Sequence, residues 1–310
     1  MEFNKLLQLS RLQYLFVKDL VLNRKLYSST TSFSKKAEYD LNIIRNIADN
    51  YNDNVYKCLS ILLNENNLDR KVFFDKLLKY RYFDSKEDIT SLEEDMGFFG
   101  GFNTCYDDSN NPISYNITSP DDINILLHEF YHFASFNKHD EIDYSGFKKG
   151  KIGKGINEGF TQYITNLAIN DGKMIYQGSN GPVANYPFCT MYSKALTSVL
   201  GMDVMKDNYF NKGLDGLTKE IYNIYPDSDK IVGFLENMDY LYLVDGGKNN
   251  NKYDTLEAMK EIDSFLIDLC MLKHKESKIS EVLPRGIKEK NNRLFPTDLL
   301  YEVKSSNLKK

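Results

Sequence analysis

The stretch SPDDINILLHEFYHFAS, Ser119 to Ser135, constrains this chain more than any other. Ser119 suits an N-cap, Pro120 suits the first helical position, and Asp121 and Asp122 stand at the positive end of the dipole, so a helix is predicted to start here. At 100° per residue, Ile123, Leu126, Leu127, Phe130, Phe133 and Ala134 fall on one broad arc, the face such a helix must bury. His128 and His132 fall together on the opposite side. The fold therefore has to pack the arc into a core and keep two imidazoles one turn apart on the other face. Only four histidines occur in the 310 residues, and Glu129 lies beside these two around the helix.

The pattern His128-Glu129-Phe130-Tyr131-His132 is HExxH, and each position has a chemical reason. Two imidazoles one turn apart can converge on a single cation. Zinc takes neutral imidazole nitrogens at roughly 2.0–2.1 Å, and its catalytic sites use three protein ligands plus water. The ion lowers the water pKa toward ~7, and a carboxylate beside it takes the proton. His128 and His132 are thus expected to be ligands of one Zn2+ per chain and Glu129 the general base. The plain alternative, a surface helix with incidental histidines, offers no third ligand.

Three choices exist for that ligand. A metzincin pattern requires Gly at position 135 and His at 138, where this chain has Ser135 and Lys138, so it is rejected. Asp140 and Asp143 in HDEIDYS are possible, but nothing positions them. Glu158, in GINEGFTQYIT, is the better choice. It opens a second predicted helix on which Ile156, Phe160, Tyr163, Ile164 and Leu167 form the packed side. Glu158, Thr161, Gln162 and Thr165 form the other side. Gln162, one turn after Glu158, and Asn157 are placed to hydrogen-bond a ligand from behind.

Around these two helices the chain has three parts. Residues 1–95 read as helices separated by Asn- and Asp-rich breaks, including one over RKVFFDKLLKYRYF. In the first of them Phe3, Leu6, Leu7, Leu12, Leu15, Phe16 and Leu20 keep helical spacing; in the second Ala37, Leu41, Ile44, Ile47 and Ala48 do. Residues 96–200 carry the chemistry: GFFGGFNTCY and ISYNIT read as two strands about the polar turn DDSNNP, followed by the two helices. Residues 201–310 read as further helices with a frayed SSNLKK end, and all three parts could form one continuous domain. The predicted class is α+β.

HExxH followed 26 positions later by the glutamate of NEGFTQY resembles the gluzincin, thermolysin-like branch of the zinc metallopeptidases. The resemblance covers roughly residues 97–200. It implies a zincin-like fold, with a small twisted sheet, the HExxH helix as active-site helix, and mostly helical N- and C-terminal parts. It also implies that an edge strand from residues 97–118 holds a peptide or unfolded-protein substrate in extended form. In similar enzymes a Tyr or His beyond the third ligand donates to the oxyanion, and Tyr186 is the residue chosen for that role. The chain departs from the family in three ways. The interval to Glu158 is longer, so 137–157 must hold an insertion or hairpin. Gln162 replaces an acid. The GxMEN signature is absent, and GPVAN at 181–185 reads as a loop.

The expected function is hydrolysis of peptide bonds. The alternative is a non-cleaving peptide- or protein-binding module that keeps the zincin fold and the metal; retention of Glu129 argues against it. A net charge of −5 gives no reason to expect nucleic acid. Charged residues interrupt the N-terminal helix, so neither a signal peptide nor a membrane span is expected. Cys58, Cys105, Cys189 and Cys270 have no regular spacing and read as free thiols in a cytoplasmic protein.

Overall fold

The computed structural model describes residues 3–22, 33–84, 100–139, 142–169, 186–249, 251–274, 287–290 and 293–296. Among the described residues four helices come first: α1 (Phe3–Leu22), α2 (Phe33–Asp49), α3 (Asp53–Leu62) and α4 (Arg70–Leu77). Side-chain caps set two of their starts. Asn52 accepts from the backbone N–H of Asn54 at 2.7 Å, and Asp69 accepts from that of Val72 at 3.1 Å. Leu12 and Ile47 are buried as the spacing predicts, but the rest of each buried face differs. α1 buries Leu9 and Leu12 and exposes Leu6 and Leu7; α2 buries Ile43 and Ile47 and exposes Leu41.

The helix expected through RKVFFDKLLKYRYF stops at Leu77. Tyr80–Asp84 is instead strand β1. It runs parallel to β3 (Pro112–Ser119), from Tyr80 opposite Tyr115 to Asp84 opposite Ser119. On the other side of β3, β2 (Gly101–Tyr106) pairs antiparallel, with Gly101 opposite Thr118. The order β1-β3-β2 leaves β2 at an edge. Asp107 closes the turn between β2 and β3, accepting from the N–H groups of Ser109 at 2.9 Å and Asn111 at 2.8 Å. The GFF segment at 97–99, expected to begin the first strand, lies outside the described residues.

Helix α5 (Ile123–Ser135) follows β3. Its cap is Asp122, whose carboxylate accepts from Asn124 N at 2.7 Å and whose carbonyl accepts from Leu126 N at 2.9 Å. Ser119, expected in that role, is fully buried in β3 opposite Asp84. The apolar arc of α5 packs as predicted. Phe133 meets the rings of Phe73, Tyr80, Phe102, Tyr115 and Phe130 at centroid distances of 5.6–6.1 Å. Such aromatic clusters bury large areas with defined geometry, which fixes both the helix's distance from the sheet and its rotation.

The chain divides into two compact units at Ala134/Ser135. The second opens with β4 (Phe136–His139) and β5 (Ile142–Ser145), an antiparallel hairpin joined on one side by the short β6 (Lys148–Lys149). The long interval before Glu158 is therefore a hairpin. Helices α6 (Lys154–Ile169), α7 (Pro187–Leu200) and α8 (Met202–Asp207) follow, then one π-helical turn, Asn208–Lys212. Helices α9 (Gly213–Ile224), α10 (Ser228–Asp245) and α11 (Lys252–His274) and a two-stranded β7 (Ile287–Lys290) and β8 (Arg293–Pro296) complete it. GPVAN at 181–185 and the SSNLKK end lie outside the described residues. The fold is α+β and mostly helical, with small sheets. All four cysteines are free thiols, and no described helix is long and apolar enough to cross a membrane.

Candidate metal centre

The histidines of α5 do stand off the apolar arc, but they do not face open solvent. His128 is 6% exposed and His132 is 7% exposed. Their Nε2 atoms lie 3.0 Å apart, with ring centroids at 4.7 Å and planes at 73°. Burying two imidazoles nitrogen to nitrogen requires something to be shared between them, a proton or a cation.

Helix α6 supplies the third group, and its start is fixed from two directions. The Asp239 carboxylate on α10 accepts from the N–H of Gly153 at 2.9 Å and of Gly155 at 2.7 Å, satisfying the orphan donors of the first turn. Burial raises the Asp239 pKa, and the N–H groups of Gly155 and Gly153 oppose that rise. Gly155 and Gly159 then let neighbouring backbones come close. A Cβ on Gly155 would lie 2.0 Å from the Met238 carbonyl oxygen, and one on Gly159 would lie 2.2 Å from that of Cys189. Glu158 sits between these two contacts.

One ligand atom each from His128, His132 and Glu158 lies within 4.8 Å of the others. These donors could hold a metal ion. Nitrogens 3.0 Å apart that are each ~2.05 Å from one cation subtend about 95° there, within reach of a tetrahedral site after small adjustment. Two imidazole nitrogens and one carboxylate oxygen are a donor set that a divalent first-row ion could take. Glu129 is not a member of the converging group. It is half-buried, and a Cβ on Gly100, the residue before β2, would lie 3.6 Å from its Oε1. The carboxylate of Glu129 is thus near the chain that enters the edge strand.

The polar face of α6 behaves differently from expectation. Asn157, Thr161, Gln162, Thr165 and Asn166 are buried along with Ile156, Phe160 and Ile164, whereas Leu167 is exposed. Hydrogen bonds make this burial tolerable. Thr161 Oγ1 donates to the Asn157 carbonyl at 2.7 Å and so accepts from Tyr209 Oη, also 2.7 Å away. Asn157 Oδ1 accepts from Phe147 N at 2.9 Å and ties the hairpin to the helix. Gln162 Nε2 donates forward to Asn166 Oδ1 at 3.0 Å rather than back toward Glu158. Asp140 and the side chain of Asp143, the alternative ligands, lie outside the described residues.

Tyr186 stands at the start of α7, its carbonyl accepting from Thr190 N at 2.8 Å. Its ring stacks on Tyr242 of α10 at 5.6 Å and 26°. Tyr242 was not singled out by the sequence, being one of 22 tyrosines in a helix without a motif. Burial raises its phenol pKa, and the charge of Glu158 raises it further. The two tyrosines thus form one stacked pair, one member of which senses the Glu158 carboxylate. Comparison with known proteins returned nothing: no family model matches the chain, and no curated protein or solved structure is detectably similar to it.

Proposed function

We propose that this chain is a zinc-dependent metallopeptidase with a zincin-like core of the gluzincin kind, acting on peptides or unfolded protein. The observation that carries this reading is the convergence of His128, His132 and Glu158, with Glu129 adjacent to His128 yet outside the group. A purely structural metal site has no use for that carboxylate. Zinc held by His128, His132 and Glu158 would supply Lewis acidity toward water and a substrate carbonyl.

The residues of the chain do the rest. His128 and His132 would hold the ion through imidazole nitrogens. Glu158 completes the donor set and lowers the net charge of the centre. A Glu129 carboxylate oxygen takes the proton from the attacking water and returns it to the leaving amine nitrogen, a positioned acid–base role worth ~10²–10⁴-fold. The Tyr186 phenol donates to the oxyanion as it forms. Strand β2, at the edge of its sheet among the described residues, is where an extended peptide can add.

The test is Glu129→Gln, which keeps shape and length but cannot take the proton. Wild type, this variant and chelator-treated protein are compared on a broad peptide library with zinc present. The variant is expected to keep its zinc and lose turnover by orders of magnitude. If wild type binds peptides with its metal in place but cleaves none, the non-cleaving binding module becomes the function. Equal turnover in wild type and variant would refute the assigned role of Glu129.

A further inference from the structure

Lysine is rarely buried without a carboxylate partner, because desolvating an ammonium is costly. Lys76 on α4 is 5% exposed. Its Nζ donates to the carbonyls of Ala134 at 2.8 Å and Phe133 at 3.3 Å. Both belong to the last turn of α5, immediately after His132. A helix end leaves its final carbonyls without intrahelical partners. This one has no glycine to close it, since β4 begins directly after Ser135. Water is not at hand either: Phe133, Ala134, Ser135 and Phe136 are all buried.

One face of α4 thus grips the end of α5 twice. Phe73 holds the Phe133 ring at 5.6 Å, and Lys76, one turn on, holds the Phe133 and Ala134 carbonyls. An ammonium there also matches the negative pole of the helix. A methionine would fill the same space without a buried charge, so packing alone does not explain lysine. Burial as the dominant influence lowers the Lys76 pKa to about 7, with Asp69 partly offsetting it. Even a neutral amine keeps two N–H donors for the two carbonyls.

We infer that Lys76 is a positioning residue for the histidine pair: by holding the Phe133 and Ala134 carbonyls in the last turn of α5 it fixes the turn that sets His132 Nε2 against His128 Nε2. The inference rests on the proposed function only for its zinc readout. Lys76→Met removes the donors at nearly constant volume. Phe73→Leu is the packing control on the same face of α4, loosening the ring contact but leaving both carbonyl bonds.

Two measurements are made. Imidazole ¹⁵N NMR of metal-free protein reads the nitrogen-to-nitrogen contact of His128 and His132, and zinc affinity is read by chelator competition. Lys76→Met is expected to lose the coupled imidazole signature and to weaken zinc binding roughly 10–100-fold. Phe73→Leu is expected to melt earlier and keep both. An unchanged imidazole signature in folded Lys76→Met would overturn the inference, as would equal loss in both variants. If Lys76→Met does not fold, Lys76→Gln, shorter and neutral, decides by the same signature. Absence of zinc binding in wild type would overturn the metallopeptidase reading, while the imidazole signature would still decide the role of Lys76.

Discussion

Adding one methyl group at Gly159 should damage this protein, whereas the same addition at Gly233 should not. A Cβ at Gly159 would lie 2.2 Å from the Cys189 carbonyl oxygen, 2.4 Å from its carbon and 2.5 Å from Ser193 Oγ. The nearest obstacle is backbone, which cannot rotate away as a side-chain tip can. Relieving the clash fully requires α6 and α7 to part by roughly 1.3–1.8 Å, given contact optima of ~3.5–4.0 Å. Overpacking of this kind costs ~1–3 kcal/mol, and replacing a helical glycine by alanine returns up to ~1 kcal/mol. With a backbone obstacle the cost falls at the upper end, so the net loss is about 1–2 kcal/mol. At ~2–4 °C per kcal/mol, Tm should fall by roughly 2–8 °C. At Gly233, inside α10, an added Cβ meets nothing within 4 Å. Gly233→Ala should therefore be neutral or stabilising by up to ~1 kcal/mol. Urea and thermal unfolding of both variants provide the assay. Because Glu158 precedes Gly159, zinc affinity should also drop in Gly159→Ala and hold in Gly233→Ala. A Gly159→Ala protein as stable as Gly233→Ala would refute the close helix contact on which the placement of Glu158 depends.

Three other outcomes are expected. Lys76 is neutral in the folded protein above its lowered pKa of about 7 but charged in the unfolded chain up to its ordinary 10.5. The unfolded state therefore holds the extra proton in that window, and stability should rise with pH from about 7, by no more than ~5 kcal/mol over the full window. Urea titrations between pH 7 and 9, below the range where buried groups such as Cys58 oppose the trend, should show this slope in wild type and a flatter one in Lys76→Met. Chelator should lower the unfolding midpoint, and free zinc at about 100 times its Kd should raise stability by ~2.7 kcal/mol, because the ion binds only the folded arrangement. Tyr186→Phe should keep zinc and fold and reduce kcat by about 10²-fold or more, in line with loss of one oxyanion donor; unchanged kcat would turn attention to its stacking partner Tyr242.

Much of the site was legible because it depends on local spacing. The i, i+4 histidines, the flanking glutamate and the apolar arc of α5 are properties of one helix, and the Phe133 cluster shows that arc packed as read. The hairpin in the interval before Glu158 follows from chain economy in the same way. What was not legible depends on distant partners. KYRYF looks helical by continuity with α4, but pairing with β3, more than 30 residues later, draws Tyr80–Asp84 into a strand. Ser119 looks like a cap, but the same sheet claims it. The polar side of α6 looks, to a periodicity argument, like a face turned away from the core. Close contacts at Gly155 and Gly159, and bonds from Thr161 to Tyr209 and from Asn157 to Phe147, bury it instead. Lys76, Asp239 and Tyr242 carry no motif, and their relation to α5, α6 and Glu158 exists only after folding.

The central claim is that His128, His132 and Glu158 hold one zinc ion, and anomalous diffraction from crystals grown with zinc tests it most directly. The account predicts one strong zinc peak per chain within bonding distance of both Nε2 atoms and a Glu158 carboxylate oxygen, with no bond to Glu129, and loss of the peak in a His132→Ala crystal. A peak ligated by Glu129 or by Asp140 or Asp143 in place of Glu158, or no peak near the histidines at saturating zinc, would contradict it.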